Sequence, residues 1–141
     1  MNLLTLYALS FVGIPYRYGG NSPMAGLDCS GVVCELLRAG GVINKDMSAQ
    51  QLYDHLLIYG ASANPGPGAI AFFGKSDEDI SHVGFCINRD LMIEAAGGDE
   101  TTLTLDDAVK KNAFVKISPV TRRRDLVGTL MPAYRLSLFG G

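Results

Sequence analysis

Asn64-Pro65-Gly66-Pro67-Gly68 divides this chain into two parts with different periodicities. Prolines lack an N–H and glycines hold no preferred backbone conformation, so a regular element must stop there and a new one begin. Before the cluster, apolar residues recur at helical spacing. Leu4, Ala8, Phe11 and Val12 share a face within residues 2–12, and Val32, Val33, Leu36, Leu37 and Ala39 follow Cys29 until Gly40-Gly41 stops the pattern. Met47, Leu52, Leu56 and Tyr59 predict a further helix entered through Asp46 or Ser48 as its cap. After the cluster the pattern is that of strands. Ala69 to Phe73 is a short buried run, and Ile80 to Ile87 alternates, with Val83, Phe85 and Ile87 on one face and His82, Gly84 and Cys86 on the other. Leu91 to Ala96 is its partner, followed by a short helix over 105–111, a strand over 114–117 and a Pro132-interrupted strand over 126–138 placed near a sheet edge. Helices first and an antiparallel sheet second predict an α+β fold.

With 141 residues, 48% of them hydrophobic, the chain is expected to form a single domain over 1–141. A net charge of -2 supplies no field that would gather nucleic acid or an anionic membrane. The apolar N-terminus lacks a basic n-region, and no apolar run reaches the roughly 18 residues of a membrane span, so synthesis in the cytoplasm without a signal peptide is expected. Cys29, Cys34 and Cys86 cannot all pair with one another and are read as thiols. No zinc spacing, nucleotide loop or serine elbow is present, so neither metal nor cofactor is expected.

Gly26-Leu27-Asp28-Cys29-Ser30-Gly31 places a cysteine where a turn becomes a helix, and free amides and the helix dipole there favour a thiolate. The bland alternative is a small buried hydrophobe. A thiol hydrolase also needs a base, a group to orient that base, and oxyanion donors. Cys29 is the nucleophile candidate, its own amide one donor, and His82 the base, with small Gly84 beside it. His55, on a helix, is the rival base. If Asn88-Arg89-Asp90 is a three-residue loop, Gly84 opposes Glu94, which then lies diagonal to His82 at about 7–8 Å along the backbone. A two-residue loop would turn Glu94 to the opposite face. Cys34 is assigned to packing; Cys86 shares a face with His82 and could approach the site, with core packing the favoured role; and Arg122-Arg123-Arg124 could bind a phosphate or a carboxylate, with a solvated turn favoured.

The residues at this point resemble the NlpC-type cell-wall cysteine peptidases, a papain-like group of bacteria and of bacteriophage tails and lysins. The resemblance rests on Gly13-Ile14-Pro15-Tyr16-Arg17-Tyr18-Gly19-Gly20, the Cys29 block through Val33, Pro67-Gly68-Ala69-Ile70-Ala71-Phe72-Phe73, and Ser81-His82-Val83-Gly84-Phe85. It implies a papain-like fold whose N-terminal helices carry the nucleophile against an antiparallel sheet. It also implies hydrolysis of peptidoglycan stem peptides, often between D-glutamate and the diamino acid, by Cys29 as nucleophile and His82 as base. Tyr16 would line the pocket and assist at the oxyanion; Asp28 and Ser30 would bind a substrate amine, unless Asp28 simply caps the helix. Two positions depart from the pattern. Glu94 stands where the family often has histidine or a neutral polar residue, and Ala69 where it usually has aspartate. Expected partners are the stem peptide and other phage tail proteins, with work in a virion tail or at a wall reached by another route. The alternatives are a non-catalytic structural module of a phage tail and a thiol amidase or acyltransferase on a non-wall substrate.

Overall fold

The computed structural model describes residues 2–135. Helix α1 (Leu3–Leu9) is capped by Asn2, whose side chain accepts from the Thr5 amide at 2.8 Å. A small hairpin, β1 (Asn21–Ser22) with β2 (Gly26–Leu27), leads into α2 (Cys29–Ala39). Helix α3 (Ala49–Tyr59) begins with a capping box between Ser48 and Gln51. Of the two expected caps it is therefore Ser48 that serves, because Asp46 is held by Arg38 and, at 2.6 Å, by Asn21.

The rest is mainly sheet: β3 (Gly60–Ala63), β4 (Ile70–Ser76), β5 (Asp79–Cys86), β6 (Leu91–Ala96), then α4 (Leu105–Lys111), β7 (Phe114–Pro119), a 3-10 turn (Val120–Arg122) and β8 (Leu126–Pro132). These strands form one antiparallel sheet in the order β3-β8-β4-β5-β6-β7. Asp77 and Glu78 form the tight turn between β4 and β5. The fold is α+β, as the order of periodicities predicts.

The short strands β1 and β2 and the strand β3 were not foreseen. β3, Gly-Ala-Ser-Ala, has no β-branched or aromatic residue to signal it, and it exists through its ladder with β8, from Gly60↔Pro132 to Ala63↔Thr129. β3 takes the edge, and β8 lies next to it, between β3 and β4, which agrees with the placement of the Pro132 strand near a sheet edge. Pro132 is tolerated because it is the last residue of its strand. Residues 136–138 of the expected strand lie outside the described residues.

The sheet buries apolar side chains on both faces. Val32, Val33, Leu36 and Leu37 of α2 pack with Ile70, Phe72, Val83, Phe85 and Ile93 in the larger cluster. Each such side chain contributes about 1.5–3 kcal/mol, which fixes the start of α2 against the middle of β5. Ala69, Ala71, Phe73, Cys86, Met92 and Val120 fill the smaller cluster. Between β4 and β5 the pairing passes from Phe73↔His82 to Gly74↔Ile80, leaving Ser81 as an extra residue immediately before His82. A bulge of this kind bends the strand and re-aims the adjoining side chain.

Candidate active site

Asp28 ends the loop and opens α2. Its carboxylate accepts from the Gly31 amide at 2.7 Å, from the Ser30 hydroxyl at 3.1 Å and from the Gly19 amide at 3.1 Å. The Gly20 carbonyl in turn accepts from the Asp28 amide at 3.0 Å. The loop lies so close to the helix that a Cβ on Gly31 would stand 2.0 Å from the Gly20 oxygen. Glycine at position 31 is thus a packing requirement of the Asp28-Cys29-Ser30-Gly31 turn.

Cys29, partly buried, is the first residue of α2, and the amides of Val83 and Ser30 hydrogen-bond its sulfur. The contact with Val83 sets the thiol beside the residue that follows His82. The helix start, expected to favour a thiolate, is outweighed here. Burial, reinforced by the Asp28 carboxylate, pushes the thiol up to about 12 against the pull of both amides and Arg123.

The hairpin loop holds three residues. Phe85 pairs with Ile93, Cys86 with Met92, and the Ile87 amide donates to the Leu91 carbonyl at 3.0 Å, so Arg89 is the centre. That register turns Glu94 toward the imidazole, and His82 Nε2 lies 2.6 Å from Glu94 Oε1. The ring is buried with its centroid 5.7 Å from that of Phe73. Glu94 thus engages Nε2 and not Nδ1 of the ring.

Glu94 is fully buried. Burial pushes its carboxyl up, but hydrogen bonds from His82, Arg122 and Ser118 outweigh this and hold it at about 2. Arg122 grips both oxygens, Nε to Oε2 at 2.5 Å and NH2 to Oε1 at 2.8 Å. Arg123 is bound at 2.8 and 2.6 Å to Asp125 and lies over the Phe73 ring at 5.5 Å. The reading of residues 122–124 as a merely solvated turn is therefore wrong for Arg122 and Arg123. No local pattern marks the contacts with Glu94 in β6 and Phe73 in β4, although Asp125, two residues from Arg123, is a local partner.

Tyr16, also buried, has its hydroxyl pushed up by burial and by the neighbouring Cys29. It remains a donor at neutral pH. Its ring packs on Gly98, where a Cβ would stand 2.2 Å from the ring carbon Cδ1. Gly98 was missed by the sequence reading, although the Gly97-Gly98 pair was its visible trace. Asp28 and Ser30 line a hollow of about 80 Å³ with Gly19, Gly20 and Asn21; what Asp28 demonstrably does is cap α2. His55 instead stacks on Tyr59 at 4.7 Å and borders a separate hollow with Lys45 and Arg135. Cys34 exchanges hydrogen bonds with the Met47 backbone at 3.2 and 3.3 Å, and Cys86 lies in the smaller core.

A family model described as NlpC/P60 matches residues 13–118. Gamma-DL-glutamyl hydrolase of Bacillus subtilis (strain 168) is 30% identical over 101 residues, 69% of this chain and 24% of that protein. The chain thus spans about a quarter of that relative's length. Among solved structures, an NlpC/P60 family protein from Bacillus cereus ATCC 10987 superposes with a TM-score of 0.68 at 19% identity, covering 93% of this chain and 39% of that one. The peptidoglycan hydrolase RipB of Mycobacterium tuberculosis gives 0.67 at 22%, covering 94% and 64%. RipD of the same organism, a non-catalytic NlpC/p60 domain protein adapted to peptidoglycan binding, gives 0.66 at 19%, covering 93% and 95%. These structural likenesses concern the fold.

Proposed function

The chain belongs to the NlpC/P60 family, and from that premise we propose that it is a cysteine endopeptidase cleaving peptidoglycan stem peptides at a γ-D-glutamyl–diamino acid bond. The observation that carries this reading is the convergence of Cys29, at the capped start of α2, on the His82–Glu94 pair of the β5–β6 hairpin. The γ-glutamyl specificity draws support from the Bacillus subtilis relative, a gamma-DL-glutamyl hydrolase.

Because burial raises the thiol, its proton passes to His82 Nδ1 as sulfur attacks the carbonyl carbon. The Cys29 amide and the Tyr16 hydroxyl are the donors for the oxyanion. The imidazolium then protonates the leaving amine, water cleaves the thioester, and the thiol is restored. Asp28 and Ser30 receive the free amine of a trimmed stem. Action from a virion tail, or at the wall after release by another route, belongs to the same proposal; a virion proteome tests it.

Cys29→Ala and His82→Ala are expected to abolish cleavage of a defined muropeptide mixture, read by mass spectrometry, while leaving circular dichroism unchanged. Full activity in either variant overturns the mechanism, and products cut at another bond overturn the specificity. A non-catalytic wall-binding module is the rival, favoured by the high thiol pKa. Labelling of Cys29 by a thiol probe with no turnover of any wall fragment would support it.

A further inference from the structure

The carboxylate of Glu94 is shared between two cations-in-waiting: His82 at 2.6 Å on Oε1, and the guanidinium of Arg122 at 2.8 Å on the same oxygen and 2.5 Å on Oε2. The two N–H···O bonds from Arg122 form the fork by which a guanidinium fixes a carboxylate in both position and plane. Position alone does not explain the arrangement. A bare carboxylate buried against an imidazole favours the protonated ring, and a ring already protonated in the resting state cannot take the thiol's proton. Arg122 supplies the compensating charge, at a side chain that is 40% exposed on a carboxylate that is 0% exposed.

The other groups facing this region do not supply that charge. Arg123 lies within electrostatic reach of Glu94 and Cys29, and Asp125 within reach of His82, but the two are bound to each other between the 3-10 turn and β8 and together carry no net charge; Lys116 of β7, opposite Glu94 in the ladder, donates to the Asn112 carbonyl at 2.7 Å. Cys29 of α2 with Asp28 behind it, and Tyr16 from the segment before β1, complete the surroundings. We propose that Arg122 is a positioning residue, and that Arg122 and Glu94 act as one electrically neutral unit that orients His82 without locking a proton on it. This rests on the reading of Cys29 and His82 as a catalytic dyad.

The test is a cycle of Arg122→Met, Glu94→Gln and the double variant, with Arg122→Lys as the charge-conserving control. Each of the first two is expected to lower turnover of an L-Ala-γ-D-Glu-diamino acid peptide about tenfold or more, and the double variant to recover at least about threefold over either. In a Cys29→Ala background, NMR titration of the His82 ring isolates the pair from the thiol. There Arg122→Met moves the pH of ring deprotonation upward, while Arg122→Lys and the double variant leave it near the parent. An unmoved titration in Arg122→Met, or a double variant no more active or better folded than the singles, overturns the proposal. Recovery of the fold in the double variant when a single does not fold supports it. If the parent protein turns over no wall peptide, the hydrolase reading fails, and the ring titration still decides the pair.

Discussion

At the residue scale, Asp28 answers two demands that pull apart. Its carboxylate caps α2 through the Gly31 amide, and the same charge opposes ionisation of the adjoining Cys29 thiol. Asp28→Asn keeps an acceptor for the cap and removes the charge, so the thiol pKa is expected to fall and alkylation of Cys29 by iodoacetamide at pH 8 to quicken. Asp28→Ala should show the same electrostatic gain but cost about 1 kcal/mol of stability through the lost cap. Mass-spectrometric mapping of the alkylated peptide, beside urea unfolding of both variants, separates the two effects; a slower Asp28→Asn would refute the electrostatic account. The Asp28-Cys29-Ser30-Gly31 turn was legible in the sequence because cap, helix start and close-packing glycine are all local. The direction of the Cys29 shift was not, since burial by a distant strand outweighs the helix end.

At the scale of elements, the site depends on the length of one loop. Arg89 is 87% exposed at the side chain and is the centre of Asn88-Arg89-Asp90, so Arg89→Ala should leave activity and stability within about 0.5 kcal/mol of the parent. Deleting Arg89 from a turn that keeps its three-residue form draws Ile87 into the loop, pairs Cys86 with Leu91 and so slips the β5–β6 register by one, turning Glu94 away from His82. Loss of muropeptide cleavage in the deletion with retention in Arg89→Ala is the expected pair of results. Equal activity in both would show that register does not govern the site. The bulge at Ser81 and strand β3 belong to this scale too: each is defined by its pairing partner, and neither leaves a compositional trace.

Across the whole molecule, the buried Glu94 ties pH to folding. Its folded-state pKa, at about 2, lies below its ordinary value of 4.5, so its contribution to stability is fully present above about pH 4.5 and is lost as pH falls toward 2. Urea unfolding followed from pH 6 to pH 2.5 should show a steep decline over that window in the parent protein and a flatter one in Glu94→Gln; parallel curves would mean that other carboxylates dominate. Taken by itself, the sequence determined what is periodic or local: the α+β order on either side of residues 64–68, the helix that begins at Cys29, and the alternation that puts His82, Gly84 and Cys86 on one face of their strand. Only the tertiary structure decided that β6 turns Glu94 to His82 and Arg122 closes on it, that Gly98 seats the Tyr16 ring, that β3 pairs beyond β8, and that burial raises the Cys29 thiol. The physical reason is common to all four. Desolvation, close approach and strand pairing arise between residues far apart in the chain, and no spacing within one segment encodes them.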